Sequence, residues 1–180
     1  MGIIRMSPHP AAGRRAVALG AAVAVLSLAR PASGLAQQPV AAGPAPTDSR
    51  AWIDAARDWR AEGEPDSALA ALRLAAELGD FPPGLLELEL ARTAFLAGYP
   101  IDGLEAYRDG CAQAGDETLD EYWHDFAAVA TIDEQAAWRA AMELEDAARA
   151  DAACALLEEG WGERASRAGL GVAERLSLHY

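Results

Sequence analysis

Residues 50–80 read RAWIDAARDWRAEGEPDSALAALRLAAELGD, and this stretch decides the fold. Its apolar and small residues recur three and four apart, Ala and Leu dominate, and β-branched residues are scarce, which is the pattern of amphipathic helix. Trp52 and Trp59 stand seven apart and so share one helical face. The stretch also carries its own punctuation. Gly63 closes a first helix over about 50–62, Pro65-Asp66 opens a second over about 66–78, and Gly79-Asp80 closes that one. Two helices of this length joined by so short a turn must fold back as an antiparallel hairpin.

The same signals continue downstream. Pro82-Pro83 precedes a helix over about 84–97 that stops at Gly98. Pro100 opens a fourth over about 101–114, with Gly115 at its end. Gly63 and Gly98 hold the same place in successive hairpins, 35 residues apart, and a period near 34 marks stacked helix pairs. A fifth helix is expected over about 117–130. Thr131 with Glu134 forms a capping box for a sixth, reaching towards Glu159 with a break. Gly160 and Gly162 are expected to interrupt the pattern before a last helix over 172–180. The fold class expected is all-α.

Upstream, residues 37–49 are Pro, Ala and Gly with hardly any charge, and read as a flexible spacer. Residues 1–36 read as a secretory signal: Arg5, Arg14 and Arg15 form a basic start, Ala16–Ala29 an apolar run of fourteen, and Gly34-Leu35-Ala36 a small-residue cleavage site. The alternative is an uncleaved N-terminal anchor. Cleavage near Ala36 would place the mature protein in the periplasm or outside the cell, by the general secretory route in preference to the twin-arginine one, with no stable membrane insertion. The remaining 144 residues suit one domain, able to bury roughly 68% of its unfolded surface. All 28 acidic residues but only eleven of the fifteen basic ones lie beyond residue 36, a net charge of −17. Such a surface repels nucleic acid and anionic membranes. Cys111 and Cys154 can pair in an oxidising compartment or pack separately as small apolar residues.

The first hairpin resembles the tetratricopeptide repeat. Trp52-x2-Ala55-Ala56-x2-Trp59, then Ala68-x3-Leu72 and Ala75, stand where the family has its large and small residues. Small side chains at Ala56, Ala68 and Ala75 let the helices approach, and the large ones fill the flanking holes. The second hairpin matches through Leu90-Ala91-x2-Ala94 and Gly103-x3-Tyr107, with Glu87 in a place the family fills with an apolar residue. A degenerate third copy would start near Trp123, with Ala140, Leu144 and Ala147 in its second helix. The resemblance thus divides the chain into hairpins over 50–115 and a helical extension over 116–180. Residues 122–126 and 174–180 also resemble the helical region that precedes the GWxTD domain of secreted bacterial proteins. The domain itself is missing, Gly160-Trp161-Gly162-Glu163 not being its motif, which would make the chain the front part of a larger protein without independent activity.

The repeat resemblance implies a concave groove, lined by the first helix of each pair, that takes a peptide segment. Its groove places here include Arg50, Arg57, Arg60, Arg92 and Phe95, with Ile53, Asp54, Leu88 and Glu89 among them. Four arginines on one face of an acidic protein suit a peptide C-terminus or acidic segment, because a guanidinium forks onto a carboxylate. Nothing else points to chemistry. Cys111 and His124 carry no nucleophile signature, so no enzyme is expected. Glu121-x2-His124 is one half of a metal-helix pattern that needs two, so neither metal nor cofactor is expected. Asp116, Glu117, Asp120 and Glu121 read as a solvated first turn favoured by the helix dipole. Trp123, Trp138 and Trp161 read as core or contact residues. The expectation is a non-enzymatic binding module with a protein or peptide partner.

Overall fold

A computed structural model describes residues 46–180, which form eight α-helices and no strand. The expected signal sequence and all but the last four residues of the expected spacer lie outside the described residues. The helices are α1 (Ser49–Ala61), α2 (Pro65–Leu78), α3 (Leu85–Leu96), α4 (Pro100–Gln113), α5 (Asp116–Ala127), α6 (Ile132–Met142), α7 (Asp146–Ala168) and α8 (Val172–Ser177). Among the described residues, no helix is long and apolar enough to cross a membrane.

Asp48 starts α1 by accepting the Ala51 N–H at 2.8 Å, and the Ser49 hydroxyl donates to the Asp80 carbonyl at 2.6 Å, tying the start of α1 to the end of α2. α1 packs on α2, α3 on α4, and α2 against α3 joins the two pairs. The turns within the two pairs are copies at backbone level. Gly63 and Gly98 both take left-handed φ, 77° and 79°, which a residue with a Cβ adopts only at a cost. The next residues, Glu64 and Tyr99, have φ, ψ of −108°, 67° and −109°, 66°, and Pro65 and Pro100 each open the following helix. Even the turn hydrogen bonds coincide: Glu64 N–H to Trp59 O and Tyr99 N–H to Ala94 O are both 2.9 Å. Packing repeats with the same offset. Ile53, Ala56, Ala68 and Leu72 are buried in the first pair, and Leu88, Ala91, Gly103 and Tyr107 in the second. Gly103 continues the rule of small residues between the helices, since a Cβ there would lie 2.7 Å from the Phe95 ring.

Beyond α4 the regularity stops. Of the third copy expected from Trp123, that ring does meet Trp138 of α6, but α6 lies mainly against α7, Ala140 and Ala147 are exposed, and Leu144 lies between helices, 42% exposed. The capping box is formed, with Glu134 N–H to Thr131 Oγ1 at 3.2 Å and Thr131 N–H to Glu134 Oε2 at 2.6 Å. The expected break falls at Glu143–Glu145, and α7 then runs without interruption through Gly160 and Gly162. Gly160 is a contact point and not a helix breaker, because a Cβ there would sit 2.3 Å from Phe126 Cζ. Gly115, expected to end the fourth helix, caps the start of α5 instead.

α7 returns to pack on α4, and α8 packs on both. Cys111 and Cys154 form a disulfide with Cα atoms 5.8 Å apart, linking α4 to α7. Trp161 is 1% exposed; its indole N–H donates to the Tyr107 hydroxyl at 3.2 Å and its ring meets Phe126 edge-on at 5.3 Å. Trp123 and Trp138 stack at 4.7 Å, whereas Trp52 and Trp59 are only half-buried at the edge of the first pair.

One ion pair fixes α6 on α7. Arg164 forks onto Glu134, its two nitrogens 2.7 and 2.8 Å from the two carboxylate oxygens, and lies 4.7 Å over the Phe126 ring. The Arg164 hydrogen bonds are the main reason that the Glu134 carboxyl is pulled down to about 2. A carboxyl whose pKa is depressed by folding stabilises fully above its unfolded value of about 4.3, and loses that contribution as the pH falls through the folded value. The thermal midpoint is therefore expected to fall as the pH is lowered from about 4.5 to about 2. Glu134→Gln should flatten the fall; an equally steep one would deny the pair this role.

Candidate functional site

The arginines gathered by the sequence on one face meet in an ion network between α1, α3 and α5. Helical spacing sets each contribution: Arg57 and Arg60 lie three apart on α1, Glu89 and Arg92 three apart on α3, and Glu121 and Asp125 four apart on α5. Glu89 is 0% exposed and is the centre. Arg57, Arg60 and Arg92 approach its carboxylate to 2.9, 2.6 and 2.7 Å. Arg92, itself buried, also reaches Glu121 at 3.1 Å and Asp125 at 2.7 Å, and Arg57 reaches Glu121 at 3.1 Å. Thr93 donates its hydroxyl back to the Glu89 carbonyl at 2.8 Å and sits 3.5 Å from Arg60.

Three guanidiniums thus face the three carboxylates of Glu89, Glu121 and Asp125, and this inner cluster is neutral, with the exposed Asp54 3.8 Å from Arg57 at its edge. Burial pushes the Glu89 carboxyl up, but Arg92, Arg60 and Arg57 outweigh it and hold the pKa below the ordinary carboxylate range. Burial likewise works against the Arg92 charge, and Glu89 and Asp125 overcome it, moving its pKa up. Glu89 and Arg92 are thus held in their charged forms, and the arginine donors are directed at carboxylates of the same chain.

The remaining groove candidates are placed differently. Arg50 lies at the outer end of α1, its side chain 59% exposed, paired with Glu117 at 2.5 Å. Phe95 is 2% exposed and stacks on Tyr180, ring centroids 5.4 Å apart and planes 3° from parallel. Tyr180 donates its hydroxyl to Asp125 at 2.6 Å, and Ser177 donates to the Phe95 carbonyl at 3.2 Å. Residues 177–180 thus cover the Phe95 and Asp125 side of the face. Burial in this position pushes the Tyr180 phenol well up.

The acidic cluster at the start of α5 is solvated at Asp116, Glu117 and Asp120, with side chains of the first two 78% and 54% exposed, and it also finds partners. Asp116 pairs with Arg149, Glu117 with Arg50, and Glu121 with Arg57 and Arg92. His124 is exposed while Glu121 is engaged by arginine, so the Glu121-x2-His124 spacing does not gather a metal pair. Cys111 has its sulfur in the disulfide. The sequence reading missed Glu121, Asp125 and Tyr180 as partners of the arginine face. The usable signal was there: two carboxylates four apart on α5, and Arg57 and Arg92 separated by the same 35 residues as Gly63 and Gly98.

No family model, no curated protein and no solved structure matches this chain.

Proposed function

We propose that residues 48–180 form a non-enzymatic protein-interaction module, a short stack of tetratricopeptide-like hairpins exported to the periplasm or beyond. Its partner is a protein or peptide segment that meets the α1 face at Arg50. One observation carries this reading: the turns Gly63–Pro65 and Gly98–Pro100 follow the same backbone path, and the buried positions around them repeat at the same spacing. A repeated hairpin aligns equivalent helices side by side, and that is how helical repeats build extended binding faces. The chain is acidic overall, but Arg50 and Arg57 hold their charge at the open edge of this face, with side chains 59% and 32% exposed. Their partners Glu117 and Glu121 are themselves 54% and 33% exposed, so a ligand carboxylate can take their place.

The test uses fluorescein-labelled acidic peptides with free or amidated C-termini, titrated with wild type and with Arg50→Glu. The expected result is saturable, salt-weakened binding of the free-acid peptides, reduced at least about tenfold in the variant at unchanged thermal midpoint. Failure of every peptide to saturate, or equal affinity in the variant, would overturn it.

A second reading is favoured by the neutrality of the Glu89 network. Arginines that are satisfied within the chain serve architecture as well as recognition, as they would in the helical front end of a larger secreted protein with no activity of its own. Loss of peptide binding at every salt concentration would leave that reading ahead.

A further inference from the structure

A partly open apolar cleft of about 220 Å3 lies between α4, α7 and α8, away from the arginine face. Its walls are Leu104 and Tyr107 of α4, Trp161 of α7 and Leu176 of α8, with the Cys111–Cys154 disulfide at one end. Each wall is held in place by a tie within the lining or just behind it. The disulfide pins α4 to α7 at a Cα separation of 5.8 Å. Trp161 is held by its bond to the Tyr107 hydroxyl and by the edge of Phe126. α8 is held by Tyr180 on Asp125 and by Ser177 on the Phe95 carbonyl. The helices therefore cannot close on the space without breaking one of these ties, and an apolar space that cannot collapse is a site for an apolar guest.

The chemistry of the lining selects the guest. The indole N–H of Trp161 is already spent on Tyr107, so the interior offers mainly carbon and sulfur. Among the lining residues, Arg108, Ala112 and Glu158 are exposed and form the rim, where Arg108 and Glu158 pair with each other. That rim is neutral. An anionic guest would have to displace Glu158 and approach a chain segment with a net charge of −17, and a cationic one would have to displace Arg108. Volume sets the size. An apolar cavity of ~150 Å3 holds a benzene ring, so this one takes a ring with a short tail.

We propose that this cavity is a binding site for a small uncharged apolar molecule, a single aromatic ring bearing two or three carbons, which enters past the Arg108–Glu158 pair. The site is independent of the arginine face, and neither its success nor its failure bears on peptide binding.

Ethylbenzene is the probe, titrated into the full chain carrying labelled Leu and Val methyl groups. The methyl resonances of Leu104, Val172 and Leu176 are expected to shift along one saturable curve, with a dissociation constant on the order of 1 mM. Phenylacetate and phenethylamine, of the same shape but charged, should bind at least about tenfold more weakly. Leu104→Trp, which fills the cavity, should abolish the shifts at Val172 and Leu176. Ala112→Trp, an exposed rim change that leaves the core intact, should do the same by blocking entry, and it keeps the test valid if the first variant does not fold. Absence of saturable shifts in the wild type would overturn the proposal. So would equal affinity for phenylacetate, or shifts that persist in the folded variants.

Discussion

Glu89→Gln is expected to reduce the unfolding free energy by about 3–5 kcal/mol, measured by urea denaturation at neutral pH, without changing the helix count. The side chain keeps its shape and loses only its charge. That charge is the common partner of Arg57, Arg60 and Arg92, and it lies where water does not reach. Arg57 and Arg60, 32% and 20% exposed, can turn outward when it is gone. Arg92, 7% exposed, cannot. It keeps Glu121 and Asp125, but the network then holds an excess positive charge in a place of weak screening. Glu89→Leu with Arg92→Leu should not recover the loss in full, since it leaves Asp125, 13% exposed, without its guanidinium partner. A loss below about 1 kcal/mol in the single variant would show that the three arginines are each satisfied without Glu89.

The second large effect belongs to the disulfide. Its cysteines are 43 residues apart, and closing a loop of that length removes enough freedom from the unfolded chain to contribute about 4 kcal/mol on the chain-entropy model. Cys111→Ala with Cys154→Ala should lose about that much, and reductant should bring the wild type down to the variant. The thermal midpoint is the simplest readout. Equal midpoints with and without reductant would mean that α4 and α7 are held by packing alone.

The part of the fold that the sequence announced is the part where local signals agree. From Asp48 to Pro100 every helix end lies at or beside a Gly, a Pro or an Asp, and the four helices up to Gln113 were bounded to within one or two residues. After Gly115 the signals mislead, because tertiary contact overrides them. Gly160 looks like a break and is a point where Phe126 presses against α7. Ala140, Leu144 and Ala147 have repeat spacing but face water or lie between helices. The candidate site was half legible. Helical spacing gathers Arg50, Arg57, Arg60 and Arg92 on one face, and the structure brings the last three together. What periodicity cannot convey is which carboxylates arrive from a helix thirty residues away. Glu89, taken as groove-facing, is the buried centre, and Tyr180, read as the end of a helix, covers Phe95.

The identity of the two hairpin turns has a constructive consequence. Gly63 and Gly98 present the chain in the same direction, and Pro65 and Pro100 receive it in the same way. Cuts at those two points are interchangeable junctions. The segment between them can be duplicated in frame, and each new seam then has the same geometry as a seam already present. The duplicated segment carries α2 and α3, so α3 would pair with a second α2, and a second α3 with α4. The molecule can in this sense be lengthened by whole units, with Gly98 as the natural splice.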